Sequence, residues 1–164
     1  MKKKIKKMFY GTVLLALGIG AVRYVKGKIQ ASESNLHRQS QYYDALLDWI
    51  DNMQAKRKIS TFLEEKGYRT IAVYGKGTLG FLLYRELKDT EIHIEYFVDQ
   101  AADEYTSDVE GIPVIRKDEI SDRKEVDAMI VTPIHAYKSI ESDLKQMNIS
   151  MPILSLTEAI LEAK

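Results

Sequence analysis

The sequence predicts an α/β protein: a parallel sheet of four to five strands flanked by helices, preceded by an N-terminal membrane helix and a helical neck. From residue 67 onward, short β-branched runs alternate with segments of helical period, which is typical of parallel βαβ units. A long uncharged run follows a cluster of lysines near the start of the chain. We therefore divide the chain into a basic leader (1–30), a neck (31–66) and an α/β domain (67–164).

The charge distribution separates the leader from the rest of the chain. The 164 residues include 24 basic and 24 acidic side chains, so the formal net charge is zero. Residues 1–30 hold eight of the basic residues and no acid, which gives the leader a charge of +8 and the remainder −8. The chain has no cysteine, which excludes disulfide scaffolds, cysteine zinc sites, iron–sulfur clusters and thiol nucleophiles.

The leader contains the predicted membrane-inserting helix. Residues 8–22 form an uncharged, largely apolar run of 15, and Tyr24 and Val25 extend it to about 18 positions. Such a helix spans about 27 Å, against about 30 Å of hydrocarbon, and flanking basic side chains can reach both interfaces. We expect cell-membrane localisation with membrane lipid as a partner. A cleaved signal peptide and a buried soluble helix are the alternatives.

The orientation of this helix follows from two opposing arguments. More basic residues precede the apolar run than follow it, which favours a cytoplasmic N-terminus and an external C-terminal domain. A nucleotide-binding domain is instead expected in the cytoplasm. A helix that enters the bilayer without crossing it would satisfy both arguments.

The neck is predicted to be helical from Glu33 to about Gln54. Leu36, Tyr43 and Ile50 recur every seven residues on an otherwise polar surface. Gln39 interrupts this stripe, so packing on the chain's own domain or on a partner competes with a homodimeric coiled coil through the neck.

A strand, a glycine-rich turn and a helix then follow one another directly. The segments are TIAVY (70–74), GKGTLG (75–80) and FLLYREL (81–87). A GxGxxG pattern alone is weak evidence, but a strand before it and a helix after it are the context that dinucleotide binding requires. We predict a Rossmann-like βαβ unit. The alternative is that the glycines serve packing alone and no ligand binds.

Each glycine of this turn has a predicted task. Gly75 permits the tight turn, Gly77 lets phosphate oxygens approach the backbone, and Gly80 lets the helix pack close to the strand. The helix N-terminus offers unpaired N–H groups and a partial positive charge to an anion, and Lys76 adds a full charge. The predicted cofactor-binding residues of the turn are Gly75, Lys76, Gly77, Thr78, Leu79 and Gly80.

Three further residues are predicted to complete the binding site. The second strand, HIEYFV (93–98), ends in Asp99, which lies 19 residues beyond Gly80. Rossmann domains place there the carboxylate that binds a ribose diol. Ligands bind at the carboxyl ends of parallel strands, so Thr132 and Pro133, after a later buried strand, are expected to line the same crevice.

We identify no catalytic or metal-binding set in the sequence. Tyr84 and Lys88 have the four-residue spacing of short-chain oxidoreductases, but they lie on the helix after the turn, which favours a chance match. His37, His93 and His135 are scattered over neck, strand and loop, so no metal is expected. Only His135 lies near the crevice, either as a ligand contact or as a helix-start residue. No nucleic-acid partner is expected.

Several segments together resemble a known family. VYGKGTLG, YFVDQ, GIPVI, DAMIVTPI and PILSLTEAI resemble the nucleotide-binding module of bacterial surface-polysaccharide proteins, including nucleotide-sugar dehydratases and sugar N-acyltransferases. The resemblance covers about residues 67–162. It implies NAD(P) or a nucleotide sugar as ligand, with the phosphate turn at Gly75, Gly77 and Gly80 and the ribose acid at Asp99.

The resemblance also implies a cellular role. It suggests a membrane-anchored accessory protein of capsule or exopolysaccharide biosynthesis, with a glycosyltransferase as partner. The chain ends before the catalytic half of such enzymes, which favours a protein without catalysis of its own. One alternative is a scaffold that recruits or dimerises a glycosyltransferase through its neck helix. Another is a subunit of an NAD-dependent sugar-nucleotide oxidoreductase or epimerase.

Overall fold

The computed structural model describes residues 2–100, 102 and 108–163, with side chains from residue 22 onward in that set. The chain forms two compact units, Met1–Ser40 and Gln41–Lys164. Helix α1 spans Lys2–Gln54. In the first unit, the described side chains of this helix, at residues 22–40, are all exposed.

The predicted membrane helix is not supported. Across the described residues, no helix combines the length and the apolarity that a bilayer crossing demands. Where side chains are described, Val22 and Val25 alternate with Arg23 and Lys26, and each such charge costs about 3 kcal/mol near the bilayer centre. The side chains of residues 8–21, on which the prediction depended, lie outside the described residues. The expected cell-membrane localisation and the lipid partner both depended on this helix, so they are not supported either.

The second unit alternates strands and helices, as predicted. Its helices after α1 are α2 (Ile59–Glu65), α3 (Thr78–Leu87), α4 (Tyr137–Gln146) and α5 (Leu156–Leu161), with 3₁₀ turns at Lys117–Asp122 and Ile134–Ala136. Its strands are β1 (Thr70–Tyr74), β2 (His93–Val98), β3 (Asp108–Val109), β4 (Ile112–Ile115), β5 (Ala128–Val131) and β6 (Ile153–Ser155).

The six strands form one sheet in the order β3-β4-β2-β1-β5-β6. All neighbouring pairs are parallel except β3 and β4, which pair antiparallel. The predicted parallel α/β sheet is thereby confirmed, with one strand more than expected. That extra strand, β3, has two residues and joins β4 through Gly111, whose φ of +86° suits glycine. A two-residue strand carries no alternation pattern, so the sequence did not reveal it.

Residues of β1 alternate between the two faces of the sheet, and each face has its own core. Ile71 and Val73 face the side that carries α2, α3 and α5, whereas Ala72 and Tyr74 face the side that carries α4. All four are buried. The near-continuous apolar character of β1 is therefore explained by helices on both faces.

The last turns of α1 pack on the sheet through Glu86 of α3. The Glu86 carboxylate accepts a hydrogen bond from the indole N–H of Trp49, and it also accepts one from the backbone N–H of Ile59 at 2.8 Å. Asn52, also on α1, donates to the carbonyl of Ile160 at 2.6 Å. The C-terminal part of the predicted neck helix is thus built into the core of the second unit.

At the opposite edge of the sheet from the glycine turn, Asp127 joins β1 to β5. Its carboxylate accepts hydrogen bonds from the backbone N–H groups of Thr70 (2.7 Å) and Arg69 (2.8 Å) and from the Thr70 hydroxyl (2.9 Å). These bonds, led by the one from the Thr70 amide, lower the pKa of Asp127 below its ordinary value. No sequence pattern predicts this contact.

Candidate functional site

The glycine turn lies at the carboxyl end of β1, whose neighbours in the sheet are β2 and β5. Tyr74 is in register with Val131, and the Thr132 N–H donates to the Tyr74 carbonyl at 3.0 Å. On the other side, the Gly75 N–H donates to the Val98 carbonyl of β2 at 2.7 Å. From β1 the chain continues to β2 and β4 on one side of the sheet, and it later returns to form β5 and β6 on the other side. The glycine turn therefore lies at the point where the strand order reverses, which is where such sheets bind ligands.

Two of the three turn glycines are required by the fold itself. Gly75 has a φ of +97°, and a Cβ there would lie 2.7 Å from the Thr132 hydroxyl and 2.9 Å from the Pro133 ring. At Gly80, a Cβ would lie 2.1 Å from the Gly75 carbonyl oxygen. Side chains cannot occupy such space, so both positions would need glycine even without a ligand.

Gly77 is different, because nothing in the fold requires it to be glycine. It is exposed, its φ is −67°, and a Cβ built on it would meet no atom within 4 Å. Among the five glycines from residue 67 to the end of the described chain, it alone combines a negative φ with open surroundings. The open space at Gly77 is where the backbone can be approached closely from outside.

The N-terminus of α3 faces this open space. Helix α3 begins at Thr78 with Gly77 as its N-cap residue, and no side chain caps it. The bond from the Phe81 N–H to the Gly77 carbonyl is the first of the helix, so the amides of the preceding residues have no intrahelical acceptor. Thr78 is exposed at the turn, whereas the Leu79 side chain is buried in the core. Leu79 can therefore contact a ligand through its backbone N–H group but not through its side chain.

Asp99 lies directly beside the turn. One of its carboxylate oxygens accepts a hydrogen bond from the Lys76 N–H at 2.9 Å. The residue is half-buried and follows the last residue of β2. The structure thus brings together Asp99 and Lys76 of the glycine turn, which lie 23 positions apart in the sequence.

Thr132 and Pro133 contact the backbone of the glycine turn and fix its shape. The Thr132 side chain is 3% exposed, and its hydroxyl lies 3.0 Å from the Tyr74 carbonyl oxygen and 3.1 Å from that of Gly75. The Pro133 ring packs against Gly75. Both predicted site residues are therefore at the crevice, where they hold the backbone of the glycine turn.

Sequence reasoning did not foresee a contact of α1 with this region. His135 lies in the 3₁₀ turn Ile134–Ala136, and its Nδ1 is 3.3 Å from the hydroxyl of Tyr42 on α1. The two rings are 5.8 Å apart between centroids. Tyr42 lies beside the predicted apolar stripe of the neck and not in it, and nothing in the local sequence predicts a contact with a residue 93 positions away.

The remaining chemical candidates lie elsewhere. Tyr84 and Lys88 line a separate cavity of about 270 Å³ with His93, toward the C-terminal end of α3. Within the part of the chain that the structure describes, no group of three or more histidine, aspartate or glutamate residues is arranged to hold a metal ion.

Comparison with known proteins gives a family and a set of distant relatives. The model of the family described as C2185-like, N-terminal, matches residues 67–153. The redox-sensing transcriptional repressors Rex of Bacillus thuringiensis (strain Al Hakam), Bacillus mycoides (strain KBAB4) and Bacillus cereus (strain 03BB102) are each 26% identical over 141 residues. The matched region covers 81% of this chain and 67% of each relative.

These findings correct the family resemblance drawn from the sequence. The match is to C2185-like proteins and the similarity is to transcriptional repressors, so the surface-polysaccharide module was the wrong family. The inferred role in capsule or exopolysaccharide synthesis, its two alternatives, the glycosyltransferase partner and the exclusion of nucleic acid are wrong with it. The reason is physical: a glycine turn and an acid after the second strand recur wherever α/β sheets bind nucleotides, and they do not identify a pathway.

Proposed function

Because the chain belongs to the C2185-like family, through its N-terminal-domain model, we propose that it is a nucleotide-responsive regulator. In this proposal residues 67–164 form a Rossmann-like domain that binds NAD(H) at the glycine turn. The balance of oxidised and reduced nucleotide then sets the state of the protein. The similarity to redox-sensing transcriptional repressors supports both the redox signal and a role in controlling transcription.

The observation that carries the proposal is the open space at Gly77. Gly75 and Gly80 are explained by packing, but Gly77 has room for a side chain and a backbone conformation that any residue adopts. A glycine there is explained by the close approach of a phosphate group, for which a side chain would be an obstacle. The uncapped N-terminus of α3 supplies N–H donors and a partial positive charge at the same point.

Asp99 gives the proposed site a preference for NAD(H) over NADP(H). Its carboxylate lies beside the turn, held by the Lys76 amide, where it can accept hydrogen bonds from a ribose diol. The 2′-phosphate of NADP(H) would place negative charge against that carboxylate. Thr132 and Pro133 contribute by fixing the shape of the turn, and Thr78 and Leu79 contribute backbone N–H groups.

The nucleotide claim is tested by titrating the full chain with NADH, NAD⁺ and NADPH in a calorimeter. We expect binding of NADH and NAD⁺ with different affinities, and weaker binding of NADPH. Gly77→Asp is the informative variant, because aspartate is a good N-cap residue that fits the open space and yet repels phosphate. It should keep the fold and weaken NADH binding more than about 100-fold, a cost of about 3 kcal/mol.

Two controls make that result specific. Gly27→Asp adds the same charge on α1, where a side chain also meets no atom within 4 Å, and it should bind NADH as the wild type does. Asp99→Ser should lessen the discrimination against NADPH. A folded wild-type chain that shows no heat with any of the three nucleotides at millimolar concentration would defeat the nucleotide proposal.

The regulatory claim has its own test. Genomic DNA fragments retained by the immobilised full chain are sequenced in the presence of NADH and of NAD⁺. We expect defined fragments whose recovery differs between the two nucleotides. Recovery that is independent of sequence and of nucleotide would contradict a role in transcription and leave the nucleotide site unaffected.

A further inference from the structure

We propose that His135 contacts the bound nucleotide and that Tyr42 orients its imidazole, so that helix α1 responds to occupancy of the crevice. The inference rests on the proposed function and adds to it a binding residue, a positioning residue and a contact through which nucleotide binding affects helix α1. Neither residue belongs to the glycine turn or to the ribose acid.

The backbone places His135 at the mouth of the crevice. Pro133, two residues earlier, packs against Gly75, and Thr132 is hydrogen-bonded to the carbonyl of that same glycine or of Tyr74. The chain then makes a single 3₁₀ turn, and the His135 side chain is exposed. An exposed imidazole one turn beyond the residues that shape the phosphate turn is within the reach of a dinucleotide that extends along the carboxyl ends of the strands.

Tyr42 determines which way this imidazole is presented. Its hydroxyl lies 3.3 Å from Nδ1, and the ring planes are inclined at 47°. A hydrogen bond at one ring nitrogen fixes the tautomer and hence the role of the other nitrogen. Across the described residues Nε2 has no hydrogen-bond partner, so it remains to donate to a ligand or to accept from one.

The same helix is also held by α3, near the end of α3 that lies away from the glycine turn. Trp49, seven residues after Tyr42 and therefore on the same face of α1, donates to Glu86 of α3. Helix α3 is the element whose N-terminus forms the phosphate site. One end of this stretch of α1 is thus fixed on α3, while the other end contacts the exposed turn that carries His135. A ligand that draws His135 toward itself changes the contact at Tyr42, and the shift is carried along this stretch of α1 to the hydrogen bond between Trp49 and Glu86.

The first test is a thermodynamic cycle measured by NADH titration of the full chain. Tyr42→Phe removes only the hydroxyl, and His135→Ala removes the imidazole. Each is expected to weaken NADH binding about threefold to tenfold, as the loss of one hydrogen bond would. The double variant should be no weaker than His135→Ala, since Tyr42 acts through His135. The matched controls are Tyr43→Phe, an exposed neighbour on α1, and His93→Ala at the start of β2; both should bind as the wild type does.

The second test observes the positioning directly by NMR. The ¹⁵N shifts of His135 report its tautomer, and the chain's single tryptophan, Trp49, gives one indole N–H signal on α1. NADH should change both in the wild type, and in Tyr42→Phe the Trp49 signal should no longer respond at saturating NADH. Wild-type affinity in both single variants, with unchanged signals, would overturn this inference alone. A folded wild type that binds no NADH would overturn the proposed function as well.

Discussion

The close approach of α3 to β1 predicts a specific cost for adding one methyl group at Gly80. In Gly80→Ala the new Cβ would lie 2.1 Å from the Gly75 carbonyl oxygen, whereas ordinary contacts are 3.4 Å or longer. The Gly75 oxygen belongs to the backbone, so no change of side-chain rotamer can relieve this clash. Helix α3 cannot move away freely either, because Leu83 and Leu87 are fully buried on its inner face.

The expected magnitude follows from these contacts. Forcing a methyl group into a well-packed site costs about 1–3 kcal/mol, and a backbone obstacle about 1.3 Å inside contact distance places this site at the upper end. Alanine in a helix recovers at most about 1 kcal/mol relative to glycine. The net loss is about 2 kcal/mol, which for a chain of this size lowers the midpoint of thermal unfolding by about 4–8 °C.

The assay is thermal unfolding of the full chain followed by circular dichroism, with Gly77→Asp as the matched control. At Gly77 the added side chain meets no atom and can cap the helix, so the midpoint should stay within about 2 °C of the wild type or rise. The two variants are therefore expected to differ in the property that they lose. Gly80→Ala loses stability, and Gly77→Asp loses nucleotide binding. A Gly80→Ala protein as stable as the wild type would refute the reasoning about the close approach.

The remaining predictions concern two carboxylates that hold the second unit together. Glu86→Gln keeps the shape of the side chain but removes the charge that accepts from Trp49 and Ile59, so we expect a loss of about 1–3 kcal/mol in urea unfolding followed by Trp49 fluorescence. Asp127 has a pKa lowered in the folded state, so the stability that it contributes is complete above its unfolded pKa and lost as the pH falls through the folded value. Asp127→Asn should therefore flatten the fall in stability below about pH 4.

Exposed residues of the same type serve as controls for both. Glu91→Gln should unfold at the urea concentration of the wild type, and Asp89→Asn should keep the acid sensitivity of the wild type, since both side chains are exposed and neither accepts a hydrogen bond from another described residue. An unchanged urea midpoint in Glu86→Gln would contradict the role of this carboxylate, because the amide nitrogen of glutamine cannot accept either of the hydrogen bonds that the two carboxylate oxygens accept. An Asp127→Asn profile parallel to that of the wild type would show that the acid loss arises at other carboxylates.

The resemblance drawn from the sequence failed for a reason that is itself informative. The strand, the glycine turn, the helix and Asp99 lie together at the carboxyl end of β1, as expected, but the nucleotide site predicted from this set follows from the geometry of phosphate binding alone. Proteins in unrelated pathways share that geometry. The family match and the similarity to repressors draw on most of the chain, including positions that no motif singles out.

Local sequence determined the turn, the main helices and every strand of the second unit except the two-residue β3. The run from Thr70 to Leu87 was predictable because its signals are contiguous: β-branched residues, glycines at fixed spacing and a helical period within 18 positions. Even the separate tasks of Gly75 and Gly80 followed from the motif. What remained open was whether Gly77 has a structural reason to be glycine, and only the surrounding space at that residue decides this.

Tertiary structure alone decided the contacts between distant segments. Three hydrogen bonds join residues that lie 37 to 93 positions apart in the sequence. They link Trp49 to Glu86, Thr132 to Gly75, and Tyr42 to His135. A hydrogen bond of this kind needs one polar atom at one place, and it imposes no period or composition on its neighbours. Hydrophobic burial does impose a period, because every strand and helix must present its apolar side to the core. The sequence therefore predicted most of the segments that form the sheet and the position of the glycine turn beside Asp99, and the folded structure decided which distant side chains hold that turn.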